Sequence, residues 1–181
     1  MDNNQAIQTV PPPPPKQSIL LDTNIMSRID STERGKSLTA YLVELLGRGF
    51  GFAISDITIY ELLRGNTKSK ETEMLNFLNP WPRYHLDENV IIASAQFDNI
   101  MKLESIDVKS VDQGDKFIAA TSALTGSLVL TANSRDFPWP LFQEVERKPI
   151  YYEEGHKQRC FLLALLKPDN DTISLRFNER P

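Results

Sequence analysis

Three short, unbroken apolar runs constrain the fold most: residues 18–21 (SILL), 51–55 (GFAIS) and 127–132 (SLVLTA). Each is too short for a buried helix. Each also lacks the polar alternation of a strand with one wet face. A strand covered on both faces is the remaining reading. The segments between them carry helical spacing. Leu38, Tyr41, Leu42, Leu45 and Leu46 mark a helix over 37–46, stopped by Gly47. Ser55-Asp56 caps a helix through IYELLRG that ends at Gly65, and 67–78 forms a charged helix closed by Asn79-Pro80. A short strand over 83–86 leads into a helix from 88 to about 103, with Ile91, Ile92, Ala95 and Ile100 inward. A last helix over 112–124 carries Ala119, Ala120 and Ala123 for close packing. Strands alternating with helices imply an α/β fold, with a mainly parallel sheet between helical layers. Such sheets bind ligands beyond the carboxyl ends of their strands.

The flanks differ from this middle. Residues 1–17 form a polar leader with five consecutive prolines, Pro11 to Pro15. That run is expected to be a stiff, disordered polyproline spacer. After Pro140 the texture changes to FQEVER, PIYYEE, RCFLLALLK and TISLRF, which read as short strands. The expected organisation is a leader (1–17), an α/β domain (18–140) and a β-rich extension (141–181) packed on it. The extension is read as an antiparallel hairpin on the sheet edge or a dimer surface.

With 181 residues, 40% of them hydrophobic, the chain can bury one sizeable core. A net charge of -4 and a pI near 5.3 exclude a general attraction for nucleic acid, so any such contact needs a local basic patch. Cys160, the sole cysteine, excludes an intrachain disulfide and a Cys-rich zinc site. Lying in CFLLALL, it is expected to be a small buried hydrophobe. His85 and His156 lack zinc-site spacing. The N-terminus has no signal-peptide pattern, and the longest apolar stretch, 161–166, is far below the ~20 residues of a membrane span. A soluble, cytoplasmic protein is expected.

Four acids close the case for chemistry: Asp22 in SILLDTN, Glu61 in ISDITIYELLRG, Asp115 in GDKFIAATSALTG and Asp136 in LVLTANSRDF. Each lies at or near the end of an apolar stretch. Singly, each has a plainer role: a helix cap at Asp22, a partner for Arg64 at Glu61, a turn at Asp136. At Asp115 the neighbouring Asp112 competes for the same place. Together they suggest a carboxylate cluster held by a hard cation, Mg²⁺ or Mn²⁺, of the kind that serves phosphodiester hydrolysis.

In this order, LLDTN, ISDITIYELLRG, GDKFIAATSALTG and LVLTANSRDF resemble the motifs of PIN-domain ribonucleases, and VapC-type toxins most of all. The resemblance spans roughly 18–137. It implies a PIN-like three-layer α/β/α sandwich and a Mg²⁺- or Mn²⁺-dependent endoribonuclease, the toxin of a type II toxin–antitoxin pair. Asp22, Glu61, Asp115 and Asp136 would be its catalytic and metal-binding residues, with Asn133, Thr23, Ser55 and Thr131 in support. RNA would be the substrate, an antitoxin the protein partner, and a homodimer the assembly. Arg64 and Lys116 lead Arg28, Lys109 and Arg135 as contacts to RNA phosphates. Trp81 and Trp139 are expected to pack. A housekeeping RNA-processing PIN nuclease is the alternative within the class. A non-catalytic PIN-like module that grips a basic peptide is the alternative outside it.

Overall fold

The structure, a computed structural model, describes residues 17–179; the Pro11–Pro15 run lies outside them. Six strands form one sheet in the order β3-β2-β1-β4-β6-β5. They are β1 (Gln17–Leu21), β2 (Phe50–Ser55), β3 (Arg83–Tyr84), β4 (Leu128–Thr131), β5 (Phe142–Glu154) and β6 (Lys157–Pro168). The first four pair in parallel, β1 lying between β2 and β4, whereas β6 pairs antiparallel with both β4 and β5. Among the described residues seven α-helices accompany them: α1 (Thr23–Met26), α2 (Glu33–Gly47), α3 (Asp56–Leu63), α4 (Lys68–Leu78), α5 (Glu88–Leu103), α6 (Gln113–Thr125) and, after β6, α7 (Asn170–Asn178). The result is a three-layer α/β/α arrangement with a C-terminal extension.

The apolar runs are buried on both faces because successive side chains point to opposite layers. Leu20, Val129, Ala164 and Leu166 join α5 and α6 in one core. Ile19, Leu21, Leu128, Leu130, Leu163 and Leu165 join α2 and α4 in the other. Each fully buried aliphatic side chain contributes about 1.5–3 kcal/mol, so this alternation fixes the register of the central strands.

Some details differ from expectation. Gly47 is the last residue of α2, and the left-handed turn falls on Gly49, φ 90°. On α5 the inward face is Val90, Ser94, Phe97, Ile100 and Met101, while Ile91 and Ile92 are about half exposed and Ala95 is exposed. The helix is apolar most of the way round, so composition alone left its rotation open. TISLRF is not a strand but most of α7, capped by Asp169, whose carboxylate accepts from Thr172 N at 2.9 Å. The rest of the extension is one long hairpin, β5–β6, turned at Gly155-His156, where Gly155 has φ 63°. Ion pairs from Lys148 to Glu44 (3.1 Å) and from Arg48 to Glu146 (2.8 Å) tie its first strand to α2. No helix among the described residues is long and apolar enough to cross a membrane.

Candidate active site

The chain leaves β1 towards β2 and β3, then returns to the other side of β1 as β4. The crevice between the ends of β1 and β4 is therefore the topological switch point, where open α/β sheets bind ligands. Asp22 follows β1 directly. Asn133 and Asp136 follow β4, Glu61 projects from α3, and Asp115 stands in the first turn of α6. All five line one open cleft of about 430 Å³, together with Thr23, Asn24, Ser27, Arg28, Asp112 and Ala132.

A hydroxyl and amide network sets these carboxylates. Asp22 caps α1, accepting from Asn24 N at 3.2 Å. Its other oxygen accepts from the Asn24 side-chain amide and, at 2.5 Å, from the Thr131 hydroxyl. Asn24 also takes a bond at its Oδ1 from Ala132 N, 2.9 Å, which laces the end of β1 to the end of β4. Thr131 Oγ1 accepts from Asn133 N at 2.9 Å, and Asn133 Nδ2 donates to Asp136 at 2.5 Å. The Thr23 hydroxyl donates to Glu61. Ser55 stands apart from the acids: fully buried, it caps α3 through Ile57 N at 3.4 Å. Thr131→Val would strip a buried carboxylate of one hydrogen bond, so the melting temperature should drop by an amount worth about 1–3 kcal/mol. An unchanged melting curve would show the network to be idle.

Electrostatics oppose the cluster. Asp22 is 2% exposed. Burial pushes its carboxyl up to about 6, against the Thr131 and Asn24 bonds that pull it down; Asp136 and Glu61 add to the rise. Burial, followed by the charges of Asp22, Asp136, Glu61 and Asp112, pushes Asp115 up to about 8. Asp136 is raised too, chiefly by burial, while hydrogen bonds from Asp115 and Asn133 restrain it. Among the described residues no Lys, Arg or His forms an ion pair with any of the four acids. Arg64 does not reach Glu61.

The donor set is hard oxygen throughout, which suits Mg²⁺ or Mn²⁺. Among the described residues no group of three or more His, Cys, Asp or Glu side chains is placed to hold a metal ion, so a cation here would need fewer direct ligands and several retained waters.

Three further residues shape the site: Asn24 and Gly114, which the sequence did not assign to it, and Asp112, the rival of Asp115 in the sequence. Asn24 is the clamp just described. Asp112 caps α6 through Gly114 N at 3.0 Å and lines the cleft as a fifth acid. Gly114 gives Glu61 room: a Cβ there would lie 2.0 Å from Glu61 Oε1. Its signal was a glycine in the first turn of a helix, a costly choice without a packing reason.

The substrate contacts need correction. Lys116 is 6% exposed and its Nζ pairs with Asp98 on α5 at 2.8 Å, so it joins α6 to α5 and faces no solvent. Arg28 is instead the basic residue that lines the cleft. Trp81 packs edge-on against Phe77, but Trp139 is 79% exposed.

No protein-family model and no curated protein matches this chain in sequence. Solved structures do resemble it. VapBC2 from Rickettsia felis, bound to a DNA fragment from its promoter, is 19% identical with a TM-score of 0.53; the match covers 66% of this chain and 90% of that one. VapBC-1 from nontypeable Haemophilus influenzae is 20% identical, TM-score 0.53, with 66% and 90% covered. FitAB bound to an IR36 DNA fragment is 26% identical, TM-score 0.52, with 66% and 87% covered. The fold is thus that of a PIN domain. The chain's fold resembles these toxin–antitoxin structures, and about a third of the chain lies outside each match.

Proposed function

We propose that this protein is a Mg²⁺- or Mn²⁺-dependent endoribonuclease, acting as the toxin of a two-protein toxin–antitoxin pair. One observation carries the reading: four carboxylates from four separate elements meet in one open cleft, where Arg28 is the one basic lining residue among the described residues and forms an ion pair with none of them. A structural role does not account for that arrangement, since burial and mutual repulsion raise Asp22 and Asp115 well above the usual carboxylate range.

Asp22, Asp115 and Asp136 would hold the cation, directly or through water. Glu61, steadied by Thr23, would hold a second ion or orient the attacking water. A bound divalent cation offsets phosphate charge and lowers the pKa of a coordinated water. The chain's own part is to hold these oxygens. Asn24 and Thr131 keep both Asp22 oxygens engaged, and Asn133 aims Asp136 into the cleft. The likeness to toxin–antitoxin complexes supports a protein partner for this chain, and a homodimer is the assembly proposed with it.

Melting curves across a Mn²⁺ titration test the site. A ligand bound only by the folded state stabilises it, so saturation at 100 times Kd should add about 2.7 kcal/mol. The shift should vanish in Glu61→Gln combined with Asp136→Asn. A flat response in the unmutated protein would contradict the metal site.

A further inference from the structure

The hairpin reaches well past the sheet. β6 pairs with β4 only through Ala164, Leu165 and Leu166, with Ala164 opposite Thr131, the residue whose hydroxyl holds Asp22. Because β6 runs antiparallel to β4, its earlier residues continue beyond the carboxyl ends of the parallel strands, the end that carries the acids. From Lys157 to Leu163 this arm extends roughly 20 Å at ~3.3 Å per residue, paired only with β5.

One face of the arm joins the cleft. Cross-strand partners share a face, which puts Phe161 with Ile150, Tyr152 with Arg159 and Lys157 with Glu154 on the same side. Tyr152 meets Phe161 edge-on at 6.0 Å, and the Arg28 guanidinium lies 5.8 Å from the Phe161 ring centroid. Arg28 lines the acidic cleft and donates to the Asn24 carbonyl. Arg34 lies close enough to act on it: burial first, and then that second guanidinium, make the Arg28 cation harder to keep. Among the described residues Arg159 pairs with Glu154 alone, at 3.2 Å and exposed to solvent, a pair that contributes little and exchanges readily for phosphate.

We propose that the strip Arg28–Phe161–Tyr152–Arg159 is a binding arm for single-stranded RNA, holding the nucleotides that run out of the cleft. The inference rests on the ribonuclease reading and names how its substrate is held. Two aromatic rings flanked by guanidiniums supply stacking surfaces and phosphate contacts, the combination that binds unpaired RNA. An acidic chain has need of such a local patch. A basic peptide would suit the four acids but not the neighbouring guanidiniums; RNA suits the guanidiniums and rings of the arm with or without a cation at the acids.

The test is fluorescence anisotropy of a 5′-labelled 16-nucleotide single-stranded RNA with the full chain in EDTA, where metal-dependent cutting is off. Tyr152→Ala and Arg159→Gln should each weaken binding about tenfold, and Tyr152→Phe should keep it. Tyr151→Ala removes an equally large ring from the opposite face and should change nothing. Superimposable melting curves exclude unfolding as the cause. Equal binding by Tyr152→Ala and Tyr151→Ala, or no RNA binding by the unmutated chain, would overturn the proposal and leave the strip to a protein partner. The two readings fail separately. RNA bound through Tyr152 but never cut with Mg²⁺ or Mn²⁺ would sink the nuclease and keep the arm. Cutting with no dependence on Tyr152 would do the reverse.

Discussion

Asp115→Asn should reduce metal-dependent RNA cleavage by about 10³-fold or more, equivalent to ~4 kcal/mol of barrier, and should raise the melting temperature of the metal-free protein. The second effect follows from the sign of the pKa shift. The Asp115 carboxyl stands at about 8 in the fold, against a usual 3.8. Below the usual value both folded and unfolded chains hold the proton, and nothing is lost. As the pH rises from about 4 to about 8 the unfolded chain releases its proton while the fold retains it, so stability falls. Asparagine escapes that loss. At pH 8 the variant should be more stable by an amount on the order of 1–3 kcal/mol, a rise of roughly 2–12 °C for a chain of this size. At pH 4 the advantage should disappear. Saturating Mn²⁺ should reverse the ranking, because only the unmutated site binds it fully. A grossly destabilised variant would instead make Asp115 a structural residue.

Gly114→Ala should likewise separate activity from stability. Added to α6, a Cβ would meet Glu61 Oε1 at 2.0 Å and Glu61 Cδ at 3.0 Å. The Glu61 side chain is flexible at its end, so it would swing away and break its bond from Thr23. Displacement of a site group by about 1 Å can cost on the order of 10²-fold, and cleavage should fall on that scale. Alanine is the better helix former by ~1 kcal/mol, so the melting temperature should hold or rise slightly. Unaltered kcat in Gly114→Ala would mean that the position of Glu61 has no part in the reaction.

The strands were readable because burial on both faces leaves a plain mark: SILL, GFAIS and SLVLTA contain no polar interruption and became β1, β2 and β4 with ends near those expected. The acids were readable for a related reason, since a carboxylate at the edge of an apolar run must be aimed somewhere. What the residues near them do was less accessible. Asn24 lies two positions from Asp22, yet its bond to Ala132 N crosses to a strand more than a hundred residues away. Ser55 looked like a partner for the acids but serves the backbone of α3. Lys116 follows Asp115 immediately, and a one-residue step around a helix turns a side chain by about 100°, here onto Asp98 of α5.

The extension misled for physical reasons too. TISLRF alternates as a strand does, but Asp169 caps it as a helix and Arg176 ties that helix to Glu104, just past the end of α5. Cys160, in an apolar run, was expected to be buried; it is exposed because that part of β6 lies on the arm, past β4, with no layer over it. Only the register of the hairpin against β4 decides this, and register between strands more than thirty residues apart is not written in either segment.

Cleavage of a labelled RNA with Mg²⁺ or Mn²⁺, by the unmutated protein and by Asp22→Asn, tests the central claim most directly. Asp22 is the most buried of the four acids and the one fixed from both β1 and β4. Metal-dependent cutting that is lost in Asp22→Asn, with 5′-phosphate and 3′-hydroxyl ends on the products, is the expected result. Cutting that persists in Asp22→Asn, or that proceeds equally in EDTA, would contradict a reaction run by these carboxylates.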